Sequence, residues 1–76
     1  MGWPEEHIIK TASSMLMEAY NSKIKDVFKT KNGFLFTDDN HVVVYTRNNG
    51  GHYCLMQKSV AVKLFEEATM LHMFYN

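Results

Sequence analysis

The sequence predicts one α+β domain over residues 1–76, with a helix, a four-stranded antiparallel meander and a second helix in the order α-β-β-β-β-α. Three observations predict it. Apolar residues recur at spacings of three and four near each end of the chain, and a β-rich middle is divided by turns rich in asparagine and glycine. The 76 residues leave room for only one hydrophobic core.

The first helix is predicted to begin at Pro4, because the amide hydrogen that proline lacks has no partner at the first helical position. The helix is expected to end near Asn21-Ser22. The segment from Ile24 to Lys31 could extend this helix or form the first strand. The apolar stripe of the helix consists of Ile8, Ala12, Met15, Leu16, Ala19 and Tyr20.

Two hairpins are predicted in the middle of the chain. Asn32-Gly33 favours a type I′ turn between the first two strands, and residues 48–51, Asn-Asn-Gly-Gly, divide the third strand from the fourth. A two- or four-residue loop in the second hairpin would place Arg47 opposite His52. One sheet face would then carry Val43, Tyr45, Arg47, His52, Cys54 and Met56, and the other Val42, Val44, Thr46, Tyr53 and Leu55. Neither face is polar, unlike that of a sheet with one solvated side.

The second helix is predicted to begin after Ser59 and to run through "VAVKLFEEATMLHMFY". Its main apolar stripe would be Val60, Ala61, Leu64, Phe65, Ala68, Leu71 and Tyr75, which leaves Met70, Met73 and Phe74 off the stripe. Together with the two apolar sheet faces, this is more apolar surface than a small monomer easily buries. A protein partner, or a second copy in a homodimer, would cover it. The alternative is that the helices split across both sheet faces, or that the tail folds over the open face.

The predicted interaction is therefore non-catalytic docking through methionines and aromatic residues. The expected contacts with a protein partner are Tyr45, Arg47, His52, Met56, Met70, Met73, Phe74 and Tyr75.

The charge balance and the cysteine content argue against several classes of function and against an intrachain disulfide. Lys and Arg together number 8 and Asp and Glu number 8, which argues against a general nucleic-acid binder. No signal peptide or long apolar run is visible, so the sequence predicts no membrane association. Cys54 is the only cysteine, which excludes an intrachain disulfide and favours a cytoplasmic, intracellular location.

No catalytic, metal or cofactor site is predicted. His52 and Cys54 are two residues apart on one strand, but His7, His41 and His72 stand at no spacing typical of zinc ligands. Cys54 is expected to be a buried small hydrophobe rather than a nucleophile. The adjacent carboxylates of Asp38 and Asp39 are expected in a solvated turn. The sequence thus predicts a protein that is not an enzyme.

A second function remains open, namely binding of single-stranded nucleic acid. Alternation around Asn32-Gly33 puts Lys29, Lys31, Phe34 and Phe36 on one face, and Tyr45 and Arg47 would join them if the two faces coincide. Mixed cations and aromatic rings on a sheet are typical of a stacking platform for bases.

Two resemblances concern element order alone. Residues 26–75, a sheet followed by a helix, are similar in order to the single-stranded-DNA-binding transcription coactivator and whirly folds, although the first helix departs from that pattern. The order of helix, antiparallel sheet and helix also resembles that of some anti-CRISPR inhibitors. That resemblance implies an accessory protein of a phage or mobile element that inhibits a host or defence protein.

Overall fold

The computed structural model describes residues 3–71 and confirms the α+β class, with a helix, an antiparallel sheet of five strands and a short second helix. The elements are α1 Glu6–Tyr20, β1 Asp26–Lys29, β2 Gly33–Thr37, β3 His41–Thr46, β4 His52–Gln57, α2 Val62–Glu66 and β5 Thr69–Leu71. Two 3₁₀ turns, Asn48–Gly50 and Lys58–Ala61, flank β4.

The two helices lie on opposite faces of the sheet, whose strand order is β4-β3-β2-β1-β5. We call the face packed on α1 the helix face; its core is Ile8, Ala12, Leu16, Ile24, Val27, Phe34, Phe36 and Val43. We call the other face the far face; its core is Leu35, Val42 and Ala61, with Phe28, Val44, Met56, Phe65 and Ala68 packed around it. Of the alternatives left open by the sequence, the structure shows the helices split across the sheet.

α1 forms where the apolar stripe predicts it, beginning at Glu6 instead of Pro4. Ile8, Ala12 and Leu16 are its buried residues. The helix ends because Asn21 adopts a left-handed conformation (φ 56°), in which its N–H bonds the Met17 carbonyl at 2.9 Å. Residues 26–29 then form a strand, which settles the question of whether the helix continues.

The first hairpin turn lies one residue earlier than predicted. The Thr30 N–H bonds the Gly33 carbonyl at 2.9 Å, so Lys31 and Asn32 form the two-residue loop. Neither loop residue nor Gly33 has the positive φ of a type I′ turn. Gly33 serves close packing instead, because a Cβ at this position would lie 1.9 Å from the Tyr45 carbonyl oxygen.

The predicted register of the second hairpin is wrong by one residue. Thr46 pairs with His52 and Tyr45 with Tyr53, so the loop contains five residues, 47–51. Asn49, Gly50 and Gly51 all have positive φ, which lets this longer loop turn. A slip of one residue moves every β4 side chain to the opposite face.

The second helix is much shorter than predicted. α2 stops at Glu66, and Thr69–Leu71 pair antiparallel with β1, with Leu71 opposite Val27 and Met70 opposite Phe28. Pairing satisfies the outer backbone groups of β1, which a continuing helix would leave open. The order resemblance to the coactivator and whirly folds therefore lacks its long last helix. His72, Met73, Phe74 and Tyr75 lie outside the described residues.

Candidate interaction surfaces

A groove opens on the far face because α2 has only five residues and covers the sheet in part. Its volume is about 170 Å³. Three apolar side chains, from the sheet and from α2, line it together with a cation, an anion and three uncharged polar residues: Leu35, Val44, Leu64, Lys31, Glu67, Thr30, Asn32 and Thr46. A narrow, partly apolar groove with a few polar groups at its margin suits a single inserted side chain better than a cofactor.

Large apolar side chains of α2 and of the segments on either side of it face solvent, and one of them, Leu64, lines the groove. Val60 is 71% exposed, Val62 52%, Leu64 38% and Met70 40%. We call these four residues the 60–70 surface. The 3₁₀ turn before α2 changes the helical phase, so that Ala61, Phe65 and Ala68 pack inward while Val60 and Leu64 point out. Only Met70 was predicted as a contact, since an uninterrupted helix would have buried Val60 and Leu64.

The residues predicted to contact a partner do not form one surface. Tyr45 packs on the helix-face core, whereas Met56 packs on the far face. His52 lies on the far face because it pairs with Thr46, and Arg47 begins the loop. Met70 is exposed on β5. The one-residue slip of β4 accounts for this division.

The mixed cation and aromatic cluster predicted for nucleic acid does assemble in part on the helix face. The Lys29 ammonium lies 5.1 Å and the Arg47 guanidinium 5.7 Å from the centre of the Phe34 ring, which stacks on Tyr45. Phe34 and Phe36 are fully buried and offer no ring face to a base. Lys31 lies at the far-face groove instead.

The buried carboxylate of Asp38 organises the loop between β2 and β3. One oxygen accepts the N–H groups of Asn40 (2.7 Å) and His41 (2.6 Å), and the other accepts the Ser22 hydroxyl at 2.5 Å. Burial alone would raise the pKa of Asp38, but these hydrogen bonds lower it to about 2. The prediction of a solvated turn therefore holds for exposed Asp39, which pairs with Lys25 at 2.9 Å, and fails for Asp38.

Ser22, His41 and Asp38 have the residue types of a hydrolytic triad but not its geometry. The serine hydroxyl and His41 Nδ1, at 3.3 Å, both approach the same Asp38 oxygen. A nucleophile needs the imidazole as its base, with the carboxylate behind the imidazole. The His41 ring is further fixed by stacking on Tyr20, with centroids 3.4 Å apart. The cluster thus ties α1 and the segment after it to the sheet.

Cys54 is exposed, against the prediction of a buried thiol. It lies on the far face of β4, opposite Val44. Within residues 3–71, no three His, Cys, Asp or Glu side chains come together in a way that could hold a metal ion.

No protein-family model matches the chain, and neither a curated protein sequence nor a solved structure is significantly similar to it. None of the helices formed by residues 3–71 has the length and apolar character needed to cross a bilayer.

Proposed function

We propose that this protein is a non-catalytic protein-binding module that docks the 60–70 surface and the adjoining groove onto a protein partner. The observation that carries the proposal is the exposure of four large apolar side chains within residues 60–70, one of which, Leu64, also lines a partly apolar groove. Leu64 belongs to both features, so one partner can cover them together. Inhibition by docking, as in anti-CRISPR proteins of similar element order, is the mode of action that we propose.

The chemistry of the surface indicates the chemistry of the partner. Exposed Val, Leu and Met side chains gain free energy when a partner removes them from water, at about 25 cal/mol per Å² of apolar area. Lys31 and Glu67 at the groove supply one charge of each sign, so they favour orientation over strong attraction. A partner that inserts one apolar side chain into the groove fits both features.

A charge placed on this surface should abolish binding. Proteins captured from cells by the wild-type chain are compared with those captured by a Val62→Lys, Leu64→Lys variant. A protein that only the wild-type chain captures is then purified, and its binding to both chains is measured by calorimetric titration. We expect a negative heat-capacity change and little dependence on salt. Glu66→Lys is the matched control because it makes the net charge more positive by the same two units, at an exposed residue of α2 outside the surface. A purified partner that binds the double variant as tightly as the wild type would refute the docking surface.

Single-stranded nucleic-acid binding is the second candidate, and the approach of Lys29 and Arg47 to one aromatic ring favours it. Two cations over a buried ring could hold phosphates, while half-buried Tyr45 and Tyr53, whose ring centres are 5.0 Å apart and whose planes are inclined by 50°, could offer one ring to a base.

Fluorescence anisotropy with a labelled oligothymidylate separates the two candidates. A nucleic-acid binder should lose affinity steeply with salt, and Lys29→Ala with Arg47→Ala should abolish its binding. The control, Lys10→Ala with Lys23→Ala, removes the same charge from exposed positions outside the cluster. Absence of salt-dependent binding in the wild-type chain would eliminate this candidate.

A further inference from the structure

β4 is an edge strand whose outer backbone groups can be assigned. The Lys58 N–H bonds the Asn40 carbonyl at 2.9 Å, and these residues continue the β3–β4 register. Hydrogen-bonded pairs therefore fall at even positions of β4, since bonding alternates along an antiparallel pair. The N–H and C=O groups of Tyr53, Leu55 and Gln57 consequently point away from β3. No strand among residues 3–71 pairs with that edge.

This edge has none of the features by which sheets avoid further pairing. Residues 52–57 pair with β3 without a bulge, and they contain no proline and no Lys, Arg, Asp or Glu. The opposite edge, β5, is described over only three residues.

We propose that β4 pairs antiparallel with β4 of a second copy of this chain, about a two-fold axis at Leu55, to form one continuous ten-stranded sheet. This inference goes beyond the proposed function and needs no residue of the 60–70 surface. Leu55 of one copy faces Leu55 of the other, and Tyr53 faces the second copy's Gln57. With two bonds for each of three hydrogen-bonded pairs, the interface gains about six backbone hydrogen bonds.

The side chains of β4 suit a second copy better than an unrelated strand. The register about Leu55 uses every outward N–H and C=O group of the strand in both copies, as a self-complementary two-fold interface requires. On the far face it sets Cys54 opposite the second copy's Met56, and both residues can bury apolar atoms there. Since β4 carries no carboxylate, the axis brings no like negative charges together.

Proline at position 57 tests the edge without disturbing the fold. Gln57 is exposed, its φ is −76° and its ψ 145°, and its N–H points outward, so proline fits the backbone and removes no bond to β3. Light scattering on a sizing column, at up to about 1 mM protein, should give twice the 8.9 kDa chain mass for the wild type. We expect Gln57→Pro to weaken self-association about tenfold or more, and the control Gln57→Ala, which keeps the N–H, to remain dimeric.

Oxidative cross-linking tests the register. In the proposed dimer, position 56 lies directly opposite Cys54 of the second copy in a non-hydrogen-bonded pair, with Cα atoms about 4.5 Å apart, which a disulfide can bridge. The Met56→Cys variant should therefore form covalent dimers under mild oxidation, whereas the wild type, whose two Cys54 residues are offset by two positions, should not.

Three results would overturn the inference. The first is a wild-type chain that stays monomeric throughout the concentration range. The second is a Gln57→Pro chain that is folded by circular dichroism and dimerises like the wild type, and the third is a Met56→Cys dimer that does not cross-link.

Discussion

Replacing Gly33 with alanine is expected to destabilise the protein by about 3 kcal/mol or more, because overpacking against backbone cannot be relieved by a rotamer change. The new Cβ would lie 1.9 Å from the Tyr45 carbonyl oxygen and 2.8 Å from its carbon. The strands must separate at this point, which strains the neighbouring bond from the Arg47 N–H to the Asn32 carbonyl. In a domain this small, the melting temperature should fall by roughly 10–25 °C, as measured by circular dichroism.

Gly50→Ala is the matched control for this substitution. Gly50 has a φ of 90°, and no atom lies within 4 Å of the position that a Cβ would take. Alanine at this position would therefore have a strained backbone conformation but no steric clash. Its cost should be about 1 kcal/mol. If Gly33→Ala melted no lower than Gly50→Ala, the close approach of β2 and β3 at Gly33 would be wrong.

Removing the Asp38 carboxylate should cost about 3 kcal/mol at neutral pH. The Asp38→Ala change leaves the N–H groups of Asn40 and His41 and the half-buried Ser22 hydroxyl without their acceptor. Asp38→Asn should cost less, because one amide oxygen can still accept the two backbone N–H groups. Urea denaturation at pH 7 measures both changes.

The same carboxylate should govern acid stability. The pKa of Asp38 is about 2 in the folded protein, against 3.8 for an aspartate free of these contacts, as in the unfolded chain. The folded state therefore favours the ionised form. The resulting stabilisation, about 2 kcal/mol, is present above pH 4 and is lost as the pH falls towards 2. Asp38→Asn should flatten this part of the pH profile.

Asp39→Ala is the control for both Asp38 measurements. Asp39 pairs with Lys25 at the exposed surface, and such ion pairs contribute about 0–1 kcal/mol. Equal losses from Asp38→Ala and Asp39→Ala would show that the carboxylate of Asp38 is not the buried acceptor described.

Element types were predictable from the sequence because their signals are local. The stripe of α1 and the β-rich runs of the meander depend on residues close in sequence. The strand β5 was not predictable: residues 69–71 continue a helical apolar period, and only the distant outer edge of β1 determines that they pair as a strand. Tertiary pairing here overrides the local pattern.

Turn length decided which parts of the candidate sites could be predicted. The first hairpin differs from its predicted register by an even step, so Lys29, Phe34 and Phe36 still share the helix face. The second hairpin differs by one residue, so His52, Cys54 and Met56 change faces. Residues 48–51 are all turn formers, and nothing local in the sequence shows whether Arg47 ends the strand or begins the loop.

The pairing of β5 with β1 has a consequence for how the protein is made. The four strands of the meander meet their neighbours across short loops, whereas Val27 and Leu71 are joined across more than forty residues. Short loops close at lower entropic cost, so the meander should assemble before β5 arrives. During synthesis, the outer edge of β1 therefore stays unpaired until residues 69–71 leave the ribosome. Until then the outer edge of β1 is open to mispairing in the growing chain, and β5 closes that edge.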